Sequence, residues 1–283
     1  MARGPIDLHH QGVERSIGAY LIETDDGLAL FDCGPTSALP VLERSVAFRD
    51  VRHLLLSHIH LDHAGAAGVI VREHPHVQVH VSDVGAPHLV DPARLEASAR
   101  RLYGEAFDTL WGELAPVPEQ NVHVVGERVV GLECFASPGH ASHHVCYLDR
   151  DGTLYAGDAA GVRIEPSSAV LPPTPPPDID VDAWFGTLDE IERRAPARLA
   201  LVHFGVFDDV ARHVAELRMR LREWAELVAS GATEEEFTAS VQAGEAGAAA
   251  AYEQAMPLWQ SYAGLKRWAE KVKPTRSPAI DAA

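Results

Sequence analysis

The chain has 283 residues, and its charge and composition exclude several classes of protein. Its 24 lysines and arginines stand against 41 aspartates and glutamates, so a polyanion such as DNA or RNA would meet the repulsion of a net charge of −17. No apolar run approaches the roughly 20 residues that span a bilayer, and the first residues lack the apolar stretch of a secretory signal. Three scattered cysteines without a CxxC pair do not indicate a disulfide framework. We therefore expect a soluble cytoplasmic protein with no nucleic-acid or membrane partner; a homo-oligomer is compatible with this composition.

Short strands dominate the first two thirds of the predicted structure. Alternating or continuous apolar segments predict strands, whereas apolar residues three and four apart predict helices. The predicted strands are 19–23, 27–32, 51–56, 77–81, 122–125, 127–136, 145–148, 153–156 and 198–202, with a Gly/Ala-rich helix over 64–71. This order predicts a mixed α/β body over residues 1–207.

Two segments within this body are of functional interest. Residues 91–112 carry apolar side chains at helical spacing, which fits either an amphipathic helix packed on the body or a lid that walls a substrate pocket. Residues 165–178 contain six prolines, too many for a helix or a central strand. We expect a stiff, extended loop there, and one that borders the site rather than a simple linker.

Residues 208–273 are predicted to form a C-terminal helical extension packed on the body. Its first helix follows Asp208 and Asp209, which suit a helix N-terminus. Thr233 and Glu236 form a capping box for the second helix, and a third helix over 246–272 is interrupted at Pro257. Residues 274–283 are expected to be a disordered tail.

The segment 57–65 (Ser-His-Ile-His-Leu-Asp-His-Ala-Gly) places three imidazoles and a carboxylate directly after an apolar strand. In an extended segment His58 and His60 point the same way, so both can reach one ion, while Asp62 and His63 can face a neighbouring ion. Such a density of titratable groups is costly unless a divalent cation compensates it. Histidine and aspartate without a thiolate suit Zn²⁺, Fe or Mn²⁺.

Three later segments supply further candidate ligands, because four side chains do not complete two coordination spheres. His140 follows strand 127–136, Asp158 follows strand 153–156, and His203 follows strand 198–202. Each lies near a glycine, which lets the backbone approach closely. We expect all three at the sheet edge that carries the segment 57–65.

This order of motifs, HxHxDH, then Gly-His, Gly-Asp and a final His, resembles the metallo-β-lactamase-fold hydrolase superfamily, which includes glyoxalase-II-like enzymes. The resemblance covers residues 16–205 and implies a four-layer αβ/βα sandwich with two divalent metal ions, Zn²⁺ above all, with Mn²⁺ or Fe as alternatives. It implies a first metal held by three histidines, a second held by two histidines and an aspartate, and one bridging carboxylate. In that order these are His58, His60 and His140; Asp62, His63 and His203; and Asp158.

Other residues near these motifs have expected supporting roles. Asp32 matches the superfamily's strand-end aspartate and is expected to orient a ligand or order its loop, while Cys33 is expected to be a buried thiol. After Gly-His the chain departs from the common pattern with Ala-Ser-His-His: we expect His144 to contact substrate or to support a ligand, and His143 to be exposed. Nine further histidines are expected to be packed or on the surface: His9, His10, His53, His74, His76, His80, His88, His123 and His213.

The chemistry implied by this resemblance is hydrolysis of a small molecule. Two ions would share a bridging water and lower its pKa, so that hydroxide attacks a carbonyl polarised by one metal. Asp62 and Asp158 are candidates for moving a proton to the leaving group, and no serine or cysteine stands in an activating motif such as GxSxG. Together with His144, these two aspartates are the candidate catalytic residues.

An ester, lactone or thioester with an apolar portion is the expected substrate. Residues 91–112, residues 165–178 and the C-terminal helices could together build a largely apolar pocket. The basic residues Lys266, Arg267, Lys271 and Lys273 are interpreted as a solvated helix face rather than an anion site. Three alternatives stay open: a phosphodiesterase of the same fold, a mononuclear iron dioxygenase that uses the first-site ligands alone, and a metal-binding module without activity.

Overall fold

Two six-stranded sheets packed face to face form the body of the protein. The structure is a computed structural model that describes residues 4–242 and 249–272. Helices cover the outer face of each sheet, which gives the four-layer αβ/βα sandwich predicted from the sequence.

The first sheet contains the first six strands in sequence order. They are β1 (Ile6–Asp7), β2 (Gly18–Thr24), β3 (Gly27–Phe31), β4 (Val51–Leu55), β5 (Gln78–Val81) and β6 (Val122–Val124). The strands β2 and β3 form the predicted hairpin, and β3 to β6 run parallel. The parallel arrangement places the carboxyl ends of β3 and β4, and the segments that follow them, at one edge.

The second sheet contains the remaining six strands. They are β7 (Arg128–Val129), β8 (Leu132–Ala136), β9 (Val145–Leu148), β10 (Thr153–Tyr155), β11 (Arg198–Leu201) and β12 (Gly205–Phe207). The strands β8, β9 and β10 alternate in direction, whereas β10 and β11 are parallel. Because β8, β10 and β11 therefore run the same way, the three loops with candidate ligands leave this sheet at one edge.

Aromatic rings fill the space between the sheets. Phe31 of the first sheet lies 5.8 Å from Tyr147 and 5.4 Å from Tyr155 of the second, between ring centroids. The hydroxyl of Tyr147 donates to the carbonyl of Leu56 at 2.9 Å, and that of Tyr20 donates to Leu201 at 2.6 Å. These contacts join the sheets close to the edge where the candidate ligands lie, so the two halves of the site are fixed relative to each other.

Eleven α-helices lie among the described residues. They are α1 (Leu39–Ser45), α2 (Leu61–Ala64), α3 (Ala67–Glu73), α4 (Ala86–Val90), α5 (Ala93–Tyr103), α6 (Phe107–Trp111), α7 (Val181–Arg194), α8 (Val210–Ala229), α9 (Glu234–Gln242), α10 (Ala249–Ala255) and α11 (Leu258–Val272). Buried side chains of α7, α8, α9 and α11 share one apolar core with the second sheet. None of the helices in this part of the chain combines the length and the apolar character needed to cross a bilayer.

The C-terminal helices also contact the proline-rich loop. Thr174 donates to the carbonyl of Ser261 at 3.0 Å, and the hydroxyl of Tyr252 donates to Ala169 at 2.8 Å. A Cβ at Gly264 would lie 2.0 Å from the Thr174 carbonyl oxygen, so only glycine permits this approach of α11. The loop is therefore held in place by the helical extension.

Several predicted elements differ from the structure in their boundaries. The single predicted strand 127–136 is a hairpin, because Val130 and Gly131 both adopt positive φ and reverse the chain between β7 and β8. The predicted helix 91–112 is divided into α5 and α6 by a turn at Gly104, whose φ is +56°. The predicted helix 64–71 is likewise two helices, α2 and α3, with α2 beginning at Leu61.

The C-terminal predictions agree with the structure where it describes them. The capping box forms, with Thr233 N–H donating to Glu236 at 2.8 Å and Glu236 N–H donating to Thr233 at 3.2 Å. Pro257 separates α10 from α11. The start of the predicted third helix at 246–248 and the predicted tail 274–283 lie outside the described residues. The strands β1 and β12 and the helices α1, α4 and α7 were not predicted.

Three histidines stack across the parallel strands of the first sheet. His53 Nδ1 lies 3.0 Å from His80 Nε2, and the ring of His80 stacks on that of His123 at 5.3 Å. Burial, followed by the proximity of His53 and His123, lowers the pKa of His80 to about 4. The carboxylate of Asp26 lies 3.3 Å from His53 Nε2, on the far side of the stack from His80.

We expect this stack to make the protein less stable in acid. The unfolded chain takes up a proton at His80 near pH 6.5 and the folded chain only near pH 4, so stability falls as pH drops between these values. At pH 5 the loss at this position is about 2 kcal/mol. Urea unfolding at pH 7 and pH 5 checks this: His80→Gln should lose less stability on acidification than the wild type. Replacing the exposed His123 by glutamine should recover less of the free energy of unfolding that is lost on acidification. Equal acid sensitivity of His80→Gln and the wild type would show that His80 does not cause the loss.

Candidate metal centre

All seven side chains predicted as metal ligands converge at one edge of the sandwich. They come from the segment after β4 and from the loops after β8, β10 and β11. Their potential ligand atoms form overlapping groups in which every atom lies within 4.8 Å of the others: His58, His60 and His140; His58, His63 and Asp158; Asp62, His63 and His203. Residues from four distant parts of the sequence thus form one cluster.

The first group is a triangle of imidazole nitrogens. His60 Nδ1 lies 2.9 Å from His58 Nε2 and 2.9 Å from His140 Nε2, and the last two atoms are 3.2 Å apart. In a tetrahedral zinc site with Zn–N bonds of 2.0–2.1 Å, two nitrogen ligands stand about 3.3 Å apart. The triangle is therefore close to the size that a single ion requires.

The second group combines a carboxylate with two histidines. Asp62 Oδ2 lies 3.6 Å from His63 Nε2 and 3.4 Å from His203 Nε2. Asp158 stands between the two groups: its Oδ1 is 3.4 Å from His63 Nε2 and 3.5 Å from His203 Nε2, while its Oδ2 is 3.3 Å from His140 Nε2. Its two oxygens thus face different sets of nitrogens, as a bridging ligand would.

Three atoms of this cluster are buried without any hydrogen-bond partner among the described residues. They are His63 Nε2, His203 Nε2 and Asp158 Oδ1. Buried polar atoms are nearly always paired, since leaving one unpaired costs about 1–3 kcal/mol. A cation bound between these three atoms would give each of them a partner. The residues present therefore suit the metal pair that the sequence predicts.

Each of four histidines is held by a hydrogen bond from its other ring nitrogen. His63 Nδ1 donates to Asp32 at 2.8 Å, His140 Nδ1 donates to the Pro173 carbonyl at 2.8 Å, and His203 Nδ1 donates to the Ser16 carbonyl. His58 Nδ1 lies 2.9 Å from Ser57 Oγ. These bonds fix the tautomer, so that Nε2 of each ring carries its lone pair toward the cluster.

Asp32 supports the segment 57–63 in the way expected from its position at the end of β3. One carboxylate oxygen accepts from the Ser57 N–H at 2.8 Å, and the other accepts from Ser57 Oγ at 2.7 Å and from His63 Nδ1. The residue is fully buried and adopts a φ of +50°, a strained conformation for a residue other than glycine. Cys33 is a buried thiol, as expected.

His144 lies behind the cluster and does not line the cavity. Its Nε2 accepts from the backbone N–H of Asp158 at 3.2 Å, so the proton lies on Nδ1, which donates to Ser137 Oγ at 2.6 Å. A Cβ at Gly157 would lie 2.7 Å from His144 Nε2, and this close approach together with a φ of +47° requires glycine. Since both ring nitrogens are engaged, His144 positions Asp158 and is not free to contact substrate.

His143 was expected to be exposed, and the structure contradicts this expectation. The ring is buried, lies 5.9 Å from the His58 ring in a stacked arrangement, and its Nδ1 accepts from Ile59 N–H at 3.4 Å. None of the nine further histidines belongs to the ligand groups found among the described residues. The supporting roles of Ser16 and Pro173 carry no sequence signal, because a backbone carbonyl acts there whatever the side chain.

The electrostatics of the two groups differ. Burial, reinforced by neighbouring imidazoles, lowers the pKa of His58 and His60, and burial also lowers that of His140, so these rings are neutral ligands at pH 7. Burial opposes the charged form of His63 as well, but Asp158, Asp62 and Asp32 raise its pKa above the ordinary value. The carboxylates therefore attract positive charge to the second group, which a cation would supply in place of protons.

A cavity of about 570 Å³ adjoins the cluster. Its floor includes His60, Asp62, His140 and Asp158. Its walls come from α5 and α6, the proline-rich loop, and the region from α10 to α11, which are the three segments expected to build a pocket. The described basic residues Lys266, Arg267 and Lys271 are exposed and lie outside this lining, in agreement with a solvated helix face.

Solved structures of similar fold cover between 77% and 94% of the chain. A metallo-beta-lactamase superfamily protein from the archaeon Sulfolobus tokodaii has a TM-score of 0.69 and 19% identity, over 94% of this chain and 96% of that one. A metallo-beta-lactamase family protein from Thermus thermophilus has a TM-score of 0.65 and 22% identity, over 90% and 89%. The protein TTHA1623, solved in a di-iron-bound form, has a TM-score of 0.55 and 21% identity, over 77% and 98%. At these identities the likeness shows the fold alone.

Relatives in sequence match about half of the chain. An uncharacterized protein of Bacillus subtilis (strain 168) is 26% identical over 153 residues, 52% of this chain and 63% of the relative. A hydroxyacylglutathione hydrolase of Salmonella typhi is 28% identical over 144 residues, 49% of this chain and 45% of the relative. The chain thus spans less than two thirds of the length of these relatives.

A family model gives the broadest match in sequence. The model described as the metallo-beta-lactamase superfamily matches residues 13–204, which include all seven clustered side chains. Together with the sandwich fold and the convergent cluster, this match shows that the chain belongs to the metallo-β-lactamase superfamily.

Proposed function

We propose that the protein is a dinuclear metal-dependent hydrolase that cleaves a small ester, lactone or thioester. The observation that carries this proposal is the position of Asp158, whose two oxygens face two separate sets of histidine nitrogens. The similarity to hydroxyacylglutathione hydrolases, found in about half of the chain, supports hydrolysis as the reaction type.

The metal pair would be held by the seven clustered residues. When bound, the two ions would supply hydroxide at neutral pH and would polarise the carbonyl that is attacked. Asp62 and Asp158 line the cavity, so either carboxylate can accept a proton at its oxygen and pass it to the leaving group. His144 keeps Asp158 oriented through the backbone, and Asp32 keeps His63 oriented through its ring.

Zinc is the proposed metal, and iron or manganese are also chemically suitable. Five histidines and two aspartates, with no cysteine among them, fit any of the three ions. TTHA1623 was solved with two iron ions in the same fold. A mononuclear iron dioxygenase that uses only the first group is less well supported, because it would leave His63 Nε2, His203 Nε2 and Asp158 Oδ1 unpaired.

A small molecule in the cytoplasm is the proposed partner. The three cysteines are buried and free, as is usual in a reducing compartment. The formal net charge of −17 disfavours nucleic acid. Of the described lysines and arginines, Arg101 alone lines the cavity, so the site offers little to a glutathione conjugate with its two carboxylates.

Removal of one first-group ligand tests the metal pair and the activity together. We expect His60→Ala to lose at least one metal ion per chain and nearly all metal-dependent turnover, because the first group then lacks one of its three nitrogen ligands. Elemental analysis of purified protein, with a panel of esters, lactones, thioesters and bis-p-nitrophenyl phosphate, measures both. His76→Ala is the control, since His76 is exposed and its ring bonds the carbonyl of Phe48, away from the cluster. Turnover of the phosphodiester alone, or equal metal content in both variants, would contradict the proposal.

A second variant tests the support that Asp32 gives to the second group. Asp32→Asn keeps the shape but removes the negative charge that orients His63 through its Nδ1–H. We expect metal affinity of the second group to fall about 10- to 100-fold while the first group keeps its ion. Metal titration against a competing chelator measures this, with Asp26→Asn, an exposed carboxylate, as the control. Two tightly bound ions in Asp32→Asn would show that Asp32 has no such role.

A further inference from the structure

We infer that the cavity selects substrates by an uncharged apolar chain that packs against the inner face of α5. The inference concerns the substrate class of the proposed hydrolase and therefore rests on that function. It comes from three features of the cavity: a helix with no fully buried residue, a wall that is mainly apolar and held in place, and a lining with few charged groups.

The helix α5 turns its apolar side chains toward the cavity. Leu95, Ala99 and Leu102 line the space, and their spacing of three and four residues puts them on one helical face. Ser98, Arg101 and Tyr103 of the same helix also belong to the lining. None of the 11 residues of α5 is buried. Leu95 packs partly against the main core, while Ala99 and Leu102 stay half-buried. An apolar group that enters the cavity would remove more of this apolar face from water, which stabilises the complex.

The opposite wall is apolar and held in place. It is formed mainly by four prolines of the loop and by apolar residues at the junction of α10 and α11: Pro173, Pro175, Pro176, Pro177, Met256, Pro257 and Trp259. The loop is fixed by the bond from Thr174 to Ser261 and by the close approach at Gly264. An apolar chain between this wall and α5 would contact hydrophobic surface on both sides.

Few charged groups belong to the described lining of the cavity. Asp62 and Asp158 are part of the metal centre, and the other charged lining residues, Arg101 and Glu253, are exposed to solvent. Among the polar lining residues, Gln260 Nε2 donates to the Tyr103 hydroxyl at 3.3 Å. A charged group packed against the apolar side chains of the lining would lose its hydration there, which disfavours it relative to an apolar chain.

The length of an acyl chain on a constant leaving group tests the inference. With the metal-loaded enzyme, kcat/KM for p-nitrophenyl acetate, butanoate, hexanoate and octanoate should rise about threefold to fourfold per added methylene until the cavity is filled. The p-nitrophenyl ester of succinic acid should react more slowly than the butanoate of the same chain length. Leu102→Ser should flatten the dependence of kcat/KM on chain length. Ala97→Ser, at an exposed position on the other side of the same helix, should keep the wild-type profile.

A binding measurement separates failure of the inference from failure of the hydrolase proposal. Trp111 and Trp259 line the cavity, so their fluorescence reports on uncharged, non-hydrolysable methyl ketones of four to eight carbons. Tighter binding of longer ketones, lost in Leu102→Ser, supports the inference even if no ester is cleaved, in which case the hydrolase proposal fails alone. Turnover of the acetate with a flat chain-length profile, or ketone binding that does not depend on length, overturns the inference and leaves the hydrolase standing.

Discussion

The contacts of the Asp158 carboxylate with three histidines determine how the site is arranged. The carboxylate is buried at the edge between the two sheets, and its oxygens lie 3.3–3.5 Å from nitrogens of three histidines that belong to different loops. A buried carboxylate surrounded by neutral imidazoles is unstable without positive charge nearby. The need for that charge explains why His63 and His203 have raised pKa values, and why a metal pair suits the position better than protons do.

The sandwich supplies this arrangement through strand direction. The strands β4, β8, β10 and β11 all end at the edge where the cluster forms. Aromatic contacts between the sheets fix the two halves of the site relative to each other. Ligand orientation then depends on a second set of groups, namely Asp32, Ser57 and the carbonyls of Ser16 and Pro173. Because Pro173 also lines the cavity, the loop that shapes the pocket holds one of the ligands as well.

The metal cluster could be predicted from the sequence because its ligands are polar residues placed directly after apolar strands. Short apolar segments predicted those strands, and the HxHxDH segment marked the edge where they end. The helix α7 was not predicted, although Val181, Trp184, Leu188 and Ile191 recur at helical spacing behind the capping residue Asp180. It begins directly after the proline-rich loop, whose composition favours extended structure up to the capping residue. The exposure expected for His143 was wrong, and the sequence left two roles open for His144, since stacking on His58 and a bond to the Asp158 backbone are tertiary contacts with no local signature.

We propose that seven side chains hold two cations that share Asp158. Anomalous diffraction from crystals of the metal-loaded protein, collected at the absorption edge of the bound element, locates the ions. Two peaks are expected, one within reach of His58, His60 and His140 and the other within reach of Asp62, His63 and His203, with one oxygen of Asp158 directed at each. A single peak at the first group, or peaks distant from Asp158, would show that no shared metal pair is bound there.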